Sequence, residues 1–394
     1  MWNILALFNL RNSLKIILLL VTTIALVKYI KFNSSQKSIS SIFFNNRRSS
    51  NPKFDAVSVP KKSPIQIGIV ACAGPRNANL ATLESLTLIK SIIISATIYN
   101  NMKELHFHIF VDSAELEKYL EDVIMFDFIL KARKNIQVQT YFYNVLTVLP
   151  AGSGKEFWAT ELPCTYVRLF FPEVLSTLDE ILYLDTDIII TGNIGKIWER
   201  LKGIDEQKLV ALVPNNELED KNFHSIDLET FGELPHVPPK GVNAGVFYMK
   251  LESLRKIGWT SQLLELYRKY KDTVKINDQK LINLFLHYHP EMLEVLPCNY
   301  NFQHLHCSKG LTCKEAIKDQ TGVQILHGTG STFYEVDQAH HLIFEAYKKF
   351  DLGAPEGIFD GLLNPLKKYY TEVKNESTCD GALGPLLFKD VIER

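Results

Sequence analysis

The sequence predicts an α/β fold built on a mainly parallel sheet with helices on both faces, and three observations carry that expectation. Short apolar runs suited to buried strands recur at Ile65 to Ala71 (IQIGIVA), His106 to Val111 (HFHIFV), Val138 to Tyr143 (VQTYFY) and Ile181 to Leu184. Helix-patterned stretches lie between them: Thr82 to Tyr99 carries Leu83, Leu86, Ile89 and Ile93 at helical spacing, and another runs through Val167 and Leu175. Strands that alternate with helices favour parallel neighbours covered on both faces. In such sheets ligands sit beyond the carboxyl ends of the strands, so the residues after Leu184 carry the most weight.

Composition narrows the classes. A chain of 394 residues that is 46% hydrophobic can fill a sizeable core. Its net charge of -1 gives no electrostatic case for nucleic acid. No G-x-G-x-x-G follows the first strand, which disfavours a dinucleotide-dependent oxidoreductase. The six cysteines are too few for a disulfide scaffold but serve as staples in an oxidising compartment.

The N-terminus predicts a membrane segment. Leu14 to Ile30 is apolar except for Lys15 and Lys28, which can reach the headgroups from its ends. The predicted order is a short cytoplasmic tail over 1–13, a signal-anchor helix over 14–30 and a stem rich in Ser, Asn, Lys and Arg over 31–62. The body spans 63–351, followed by a C-terminal extension over 352–394, in which Phe359 to Tyr370 reads as an amphipathic helix. A cleaved signal peptide fits Ile16 to Val27 as the alternative. Sequons at Asn33 and Asn375 are compatible with a luminal body.

After Leu184 comes Asp185-Thr186-Asp187. Two carboxylates at i and i+2 past an apolar strand converge on one cation if the chain turns there. Nucleoside-diphosphate chemistry needs such a cation, because negative charge develops on the leaving group. A capping turn is the plainer reading of the bare triplet, yet the apolar residues on both sides of YLDTDIII hold both carboxylates against a core, where they need partners.

Glu180 to Trp198 (EILYLDTDIIITGNIGKIW) resembles the metal-binding segment of glycosyltransferase family 8. Matching blocks follow in order at Tyr166 to Leu169, Gly241 to Val246, Asn277 to Asn283 and Leu326-His327-Gly328. Within that family, Pro297 to Phe302, Cys307, Cys313 and Gln324 to Gly328 resemble the glucoside xylosyltransferase branch. The resemblance implies a GT-A type fold with a mixed, mainly parallel central sheet. It further implies a luminal type II membrane protein of the ER or Golgi that transfers xylose from UDP-xylose, α1,3-linked, to O-linked glucose on EGF-like repeats, as in Notch. A family 8 enzyme using UDP-glucose or UDP-galactose, or an inactive UDP-sugar or glycan-binding relative, remain the alternatives.

Site roles follow from the same resemblance. Asp185, Asp187 and His327 are implied ligands of Mn2+, and a borderline imidazole suits that ion. Arg168 is implied to place its guanidinium fork on the donor diphosphate or sugar. Asn243, Ala244, Asp278 and Gln279 are implied to meet the donor sugar, with Asp278 also a candidate helix cap. Ala71, Cys72 and Arg76 would line the uridine, Thr186 the donor, and Gly328 and Gly330 would admit the diphosphate closely. Family resemblance implies retention at the anomeric carbon. Because Gln279, placed near that carbon, is a poor nucleophile, attack by the acceptor on the leaving-group face is favoured over a covalent intermediate. Many family 8 members carry a basic residue just after the His-Gly pair, and Thr329 to Tyr334 has none, so Arg168 or Arg76 is expected to supply that charge. Cys298, His304, His306, Cys307 and Cys313 admit zinc as a rival to disulfides, although their spacing matches no common zinc motif. Cys72 with Cys164, and a bond within Cys298, Cys307 and Cys313, are among fifteen possible pairings.

Overall fold

The computed structural model describes residues 63–72, 78–99, 104–129, 131, 136–148, 163–215, 234–272, 276–307, 311–318, 322–334, 338–372, 379 and 383–387. The predicted membrane segment, the stem, both sequons and Arg76 lie outside the described residues. Among the described residues ten strands form two sheets. The first contains β1 (Ile65–Ala71), β2 (Glu104–Val111), β3 (Gln137–Asn144), β4 (Ile181–Leu184), β6 (Val210–Pro214), β7 (Val242–Met249) and β8 (Leu293–Val295), in the order β3-β2-β1-β4-β7-β6-β8. Its β1–β2, β2–β3, β1–β4 and β6–β8 pairs are parallel, whereas β7 runs antiparallel to both β4 and β6. The mixed, mainly parallel sheet expected from the sequence is therefore present. A smaller sheet joins β5 (Ile188–Ile190), β10 (Ile325–His327) and β9 (Phe302–Gln303).

Both faces of the large sheet are buried, which explains the near-continuous apolar strands. Ile65, Ile67, Ile69 and Ala71 of β1 join Leu182, Leu184, Val246 and Tyr248 in one cluster with residues of α1 (Ala78–Tyr99), α2 (Ala114–Val123) and α3 (Ile194–Lys202). Tyr183, Phe247 and Met249 point the other way, towards α4 (Trp259–Tyr270) and α5 (Asp278–Tyr288). Gly68 belongs to this second face, where a Cβ would stand 2.8 Å from the Phe171 ring. That helical segment runs as short turns, Pro163–Tyr166, Val167–Phe170 and Phe171–Val174. Among the described residues one helix, Leu80–Tyr99, is long and apolar enough to cross a membrane; most of it is buried as a core helix.

The strand directions decide what meets at the site. Because β7 is antiparallel to β4, its opening residues lie beside the end of β4, with the Asp185 N–H donating to Gly245 O at 2.8 Å. In the small sheet Ile188 pairs with His327, and the Gly328 N–H donates to Asp187 O at 2.8 Å. Three segments distant in sequence thus share one end of the fold.

A third core cluster covers the small sheet. Leu362, Leu363, Leu366 and Tyr370, from a π-helical turn at Phe359–Leu363 and α7 (Asn364–Glu372), pack with Ile189 and Leu326, and with Phe344 and Tyr347 of α6 (Gln338–Lys349). This is the packing predicted for the apolar stripe of Phe359 to Tyr370. All six cysteines are paired, as Cys72–Cys164, Cys298–Cys313 and Cys307–Cys379. The zinc alternative fails because its three thiols are consumed in disulfides, and Cys379 supplies a partner that the local spacing did not reveal.

Two buried histidines make the fold sensitive to acid. The His108 ring lies 2.7 Å from Gln66 Oε1 and 2.9 Å from the Tyr143 hydroxyl, and burial, helped by His106, lowers its pKa to about 4. His306 accepts from the Gln303 N–H at 2.8 Å, and burial likewise lowers it to about 4. A folded pKa below the unfolded value near 6.5 means that the neutral form is favoured in the fold. The associated stability is therefore complete above about pH 6.5 and lost as pH falls toward 4. Each histidine should contribute up to about 3 kcal/mol of this loss. Thermal melts should show the decline in that window, and His108→Gln should flatten it; an unchanged slope would refute the assignment to His108.

Candidate active site

A cleft of about 610 Å3 opens at the carboxyl ends of β1 and β4. Val70, Cys72, Glu84, Arg168, Tyr183, Asp185, Thr186, Asp187, Asn243, Asp278, Gln279, His327, Gly328 and Gly330 are among its lining residues. Ala71 is not among them. Alternation along β1 turns its side chain into the core, while Val70 and Cys72 face the cleft.

Asp185 and Asp187 flank the turn between β4 and β5, and His327 ends β10. Candidate ligand atoms of the three lie within 4.8 Å of one another. Asp185 Oδ1 accepts from the Tyr183 hydroxyl and from Arg168 Nη1, the latter at 3.0 Å. Its Oδ2 faces the histidine, since a Cβ on Gly245 would stand 2.9 Å from that oxygen and 2.3 Å from His327 Cε1. Glycine at 245 is thus required for β7 to run this close to both groups. His327 Nε2 is 3.2 Å from Asp187 Oδ1, and its Nδ1 is 2.8 Å from Asn301 Oδ1. Burial lowers the His327 pKa, but Asp187 and then Asp185 outweigh it and the net shift is upward. The nitrogen that faces Asp187 is also the one a cation would take, so metal binding and deprotonation of His327 are linked. Two carboxylates with one imidazole fit a divalent ion of hard to borderline character.

Arg168 is placed at the cleft, but its guanidinium is already occupied. Nε and Nη2 bind Asp278 Oδ2, while Nη1 binds both Asp185 Oδ1 and Ala244 O, the last at 2.9 Å. The Tyr183 ring lies under it, 4.8 Å from Cζ to the centroid. Most of its N–H donors are thus committed to protein partners, which leaves little of the fork for the diphosphate grip expected from the sequence. Burial alone would lower its pKa, yet Asp278, with Tyr183 and Asp185, holds it above the ordinary arginine value. Arg168 stays charged and serves first to balance the acids around it.

Other expectations change in detail. Asn277, not Asp278, caps α5, its side chain accepting from the Lys280 N–H at 2.8 Å; Asp278 is the first helical residue and is consumed by Arg168. Ala244 has its N–H on Gln279 Oε1 at 3.0 Å and its carbonyl on Arg168, so both backbone groups already have a protein partner. With its oxygen so engaged, Gln279 offers its NH2 end. Gly328 lines the cleft and also makes room for Phe333, whose ring would lie 2.5 Å from an added Cβ. Gly330, at φ +67°, does need glycine's freedom. Thr186 donates its hydroxyl to Glu84 at 3.0 Å.

Sequence reasoning missed Glu84, Tyr183 and Asn301. Tyr183 was accessible, because strand periodicity puts it on the face of Asp185 two residues on; the other two carry no local signal. Among the described lining residues Arg168 is the one Lys or Arg, against Glu84, Asp185, Asp187 and Asp278.

A doubly covered mixed sheet, with two carboxylates and an imidazole gathered in a cleft at its strand ends, fits a GT-A type glycosyltransferase that uses a nucleotide-diphosphate sugar and a divalent metal. The chain belongs to glycosyl transferase family 8, whose family model matches residues 82–332. It is 29% identical to mouse (Mus musculus) glucoside xylosyltransferase 2, over 85% of this chain and 72% of that protein. It is 30% identical to chicken (Gallus gallus) glucoside xylosyltransferase 1, over 77% of this chain and 66% of that protein. Among solved structures, the galactosyltransferase LgtC in complex with donor and acceptor sugar analogues aligns with TM-score 0.50 and 15% identity. That alignment covers 76% of this chain and all of LgtC, and it supports the fold.

Removing the guanidinium would leave Asp278 buried without its counter-charge. Arg168→Ala should therefore destabilise the protein by about 3–5 kcal/mol in urea unfolding. A loss below about 1 kcal/mol would show that Arg168 is held for ligand binding rather than for the network.

Proposed function

We propose that this enzyme transfers xylose from UDP-xylose, in α1,3 linkage and with retention, to glucose O-linked on EGF-like repeats. The observation that carries the reading is the convergence of Asp185, Asp187 and His327 in a cleft beside Asn243 and Gln279. Likeness to the two glucoside xylosyltransferases supports the sugar and the acceptor glucose. Asp185 would hold Mn2+ through Oδ2, because Oδ1 is taken by Tyr183 and Arg168. Asp187 and His327 Nε2 would complete the protein's share. When bound, the ion offsets charge that develops on the departing diphosphate.

The chain's own groups argue for attack on the leaving-group face. Gln279 has its carbonyl oxygen on the Ala244 N–H, and Asp278 is 3% exposed and tied to Arg168, so neither is a free nucleophile. The acceptor hydroxyl then bonds to the anomeric carbon as the bond to UDP breaks, and a diphosphate oxygen takes its proton. The amide NH2 groups of Asn243 and Gln279 would orient the donor sugar. Residues 14–30 would anchor the chain in the ER or Golgi membrane with the body luminal, and the pairing of all six cysteines supports an oxidising compartment.

The full-length protein, purified in detergent, should be incubated with Mn2+, UDP-xylose, UDP-glucose or UDP-galactose, and a folded EGF-like repeat bearing O-glucose. Xylose transfer is expected, abolished by chelator and reduced at least roughly 100-fold by Asp187→Asn without change in melting temperature. Transfer of a hexose in its place would overturn the donor assignment. UDP binding without any turnover would leave a binding protein.

A further inference from the structure

We infer that Asn301 is a buried positioning residue that sets two groups of the cleft at once: the Nε2 of His327, which faces Asp187, and the amide NH2 of Asn243. The inference rests on the metal reading of the cleft. It starts from a group whose role admits no choice, the backbone N–H of Gly245, which can only donate. It donates to Asn243 Oδ1 at 2.9 Å, and that fixes the Asn243 amide with its oxygen inward. The same oxygen lies 2.8 Å from Asn301, which must therefore present Nδ2 to it. The other end of the Asn301 amide is then Oδ1, an acceptor, 2.8 Å from His327 Nδ1. Nδ1 must carry a proton to meet it, which leaves Nε2 as the atom aimed at Asp187 and at any cation. One backbone donor thus determines the orientation of two amides and the ligating nitrogen of an imidazole.

Position makes the relay rigid. Asn301 is 0% exposed and follows the helical turn Cys298–Tyr300, with its N–H on Cys298 O at 3.1 Å. Cys298 is itself bonded to Cys313, and β9, which starts at the next residue, pairs with β10 on the strand of His327. Partners of this kind behind a ligating histidine typically change metal affinity 10–100-fold when removed.

Two variants separate the two arms. Asn301→Leu loses both contacts and should weaken Mn2+ binding to the nucleotide-free protein roughly 10–100-fold, followed by the electron paramagnetic resonance of free Mn2+. Asn301→Asp keeps an acceptor for His327 but sets an oxygen against Asn243 Oδ1. Its Mn2+ affinity should stay within about threefold of the parent while KM for the donor sugar rises. A purely structural role would move both readouts together with the melting temperature, and would not be rescued by aspartate. Mn2+ affinity and donor KM unchanged in Asn301→Leu would overturn the inference alone. Parent protein that binds no Mn2+, or an Asp187→Asn variant that binds it equally, would overturn the metal reading and this inference with it.

Discussion

The structure depends on one electrostatic constraint: several carboxylates must stand at the end of a buried sheet with a single guanidinium between them. Arg168 meets Asp278, Asp185 and the Ala244 carbonyl together, and the Tyr183 ring closes it from below. Remove that charge and the acids are left in a low-dielectric wall without compensation. The ordering of the cleft follows from this centre. Asp185 is turned so that one oxygen is spent and the other is presented, and α5 is seated by its first residue. Among the described lining residues acids outnumber bases, an imbalance that suits a divalent cation.

Much of the scaffold could be read from the sequence because its cause is local. Strand length and helical spacing in Ile65 to Ala71 and Thr82 to Tyr99 report burial on both faces, and burial is what the sheet imposes. The DTD turn was legible for a related reason, since polar groups inside an apolar run stand out. The partner chosen by a polar side chain is not a local property. Arg168 looked like a ligand-gripping fork because its neighbours say nothing of Asp278, 110 residues away. Asn301 was hidden in the same way, since it acts on Asn243 and His327 across 58 and 26 residues. Asp278 and Asn277 are a milder case, in which two adjacent residues both suit a cap and the structure chooses the first.

Topology explains why such distant partners meet reliably. Reversal of β7 against β4 turns the sequence VNAG back to the end at which DTD begins, and the β5–β10 pairing adds His327 from the far side. Both pairings are made by buried apolar strands, so hydrophobic registration positions the polar site. A one-residue slip in either ladder would exchange inward and outward side chains and dismantle the cleft. Glycine at 245 is the narrowest point of this arrangement, where the backbone of one strand passes within contact of two would-be ligands.

The Cys72–Cys164 bond ties the end of β1 to the segment that carries Arg168, across 92 residues. Both cysteines lie on the rim of the cleft. Where thiols are oxidised, closure of this bond holds the end of β1 and the Arg168 segment at a fixed separation. A copy whose thiols stayed reduced would leave these two rims of the cleft untethered.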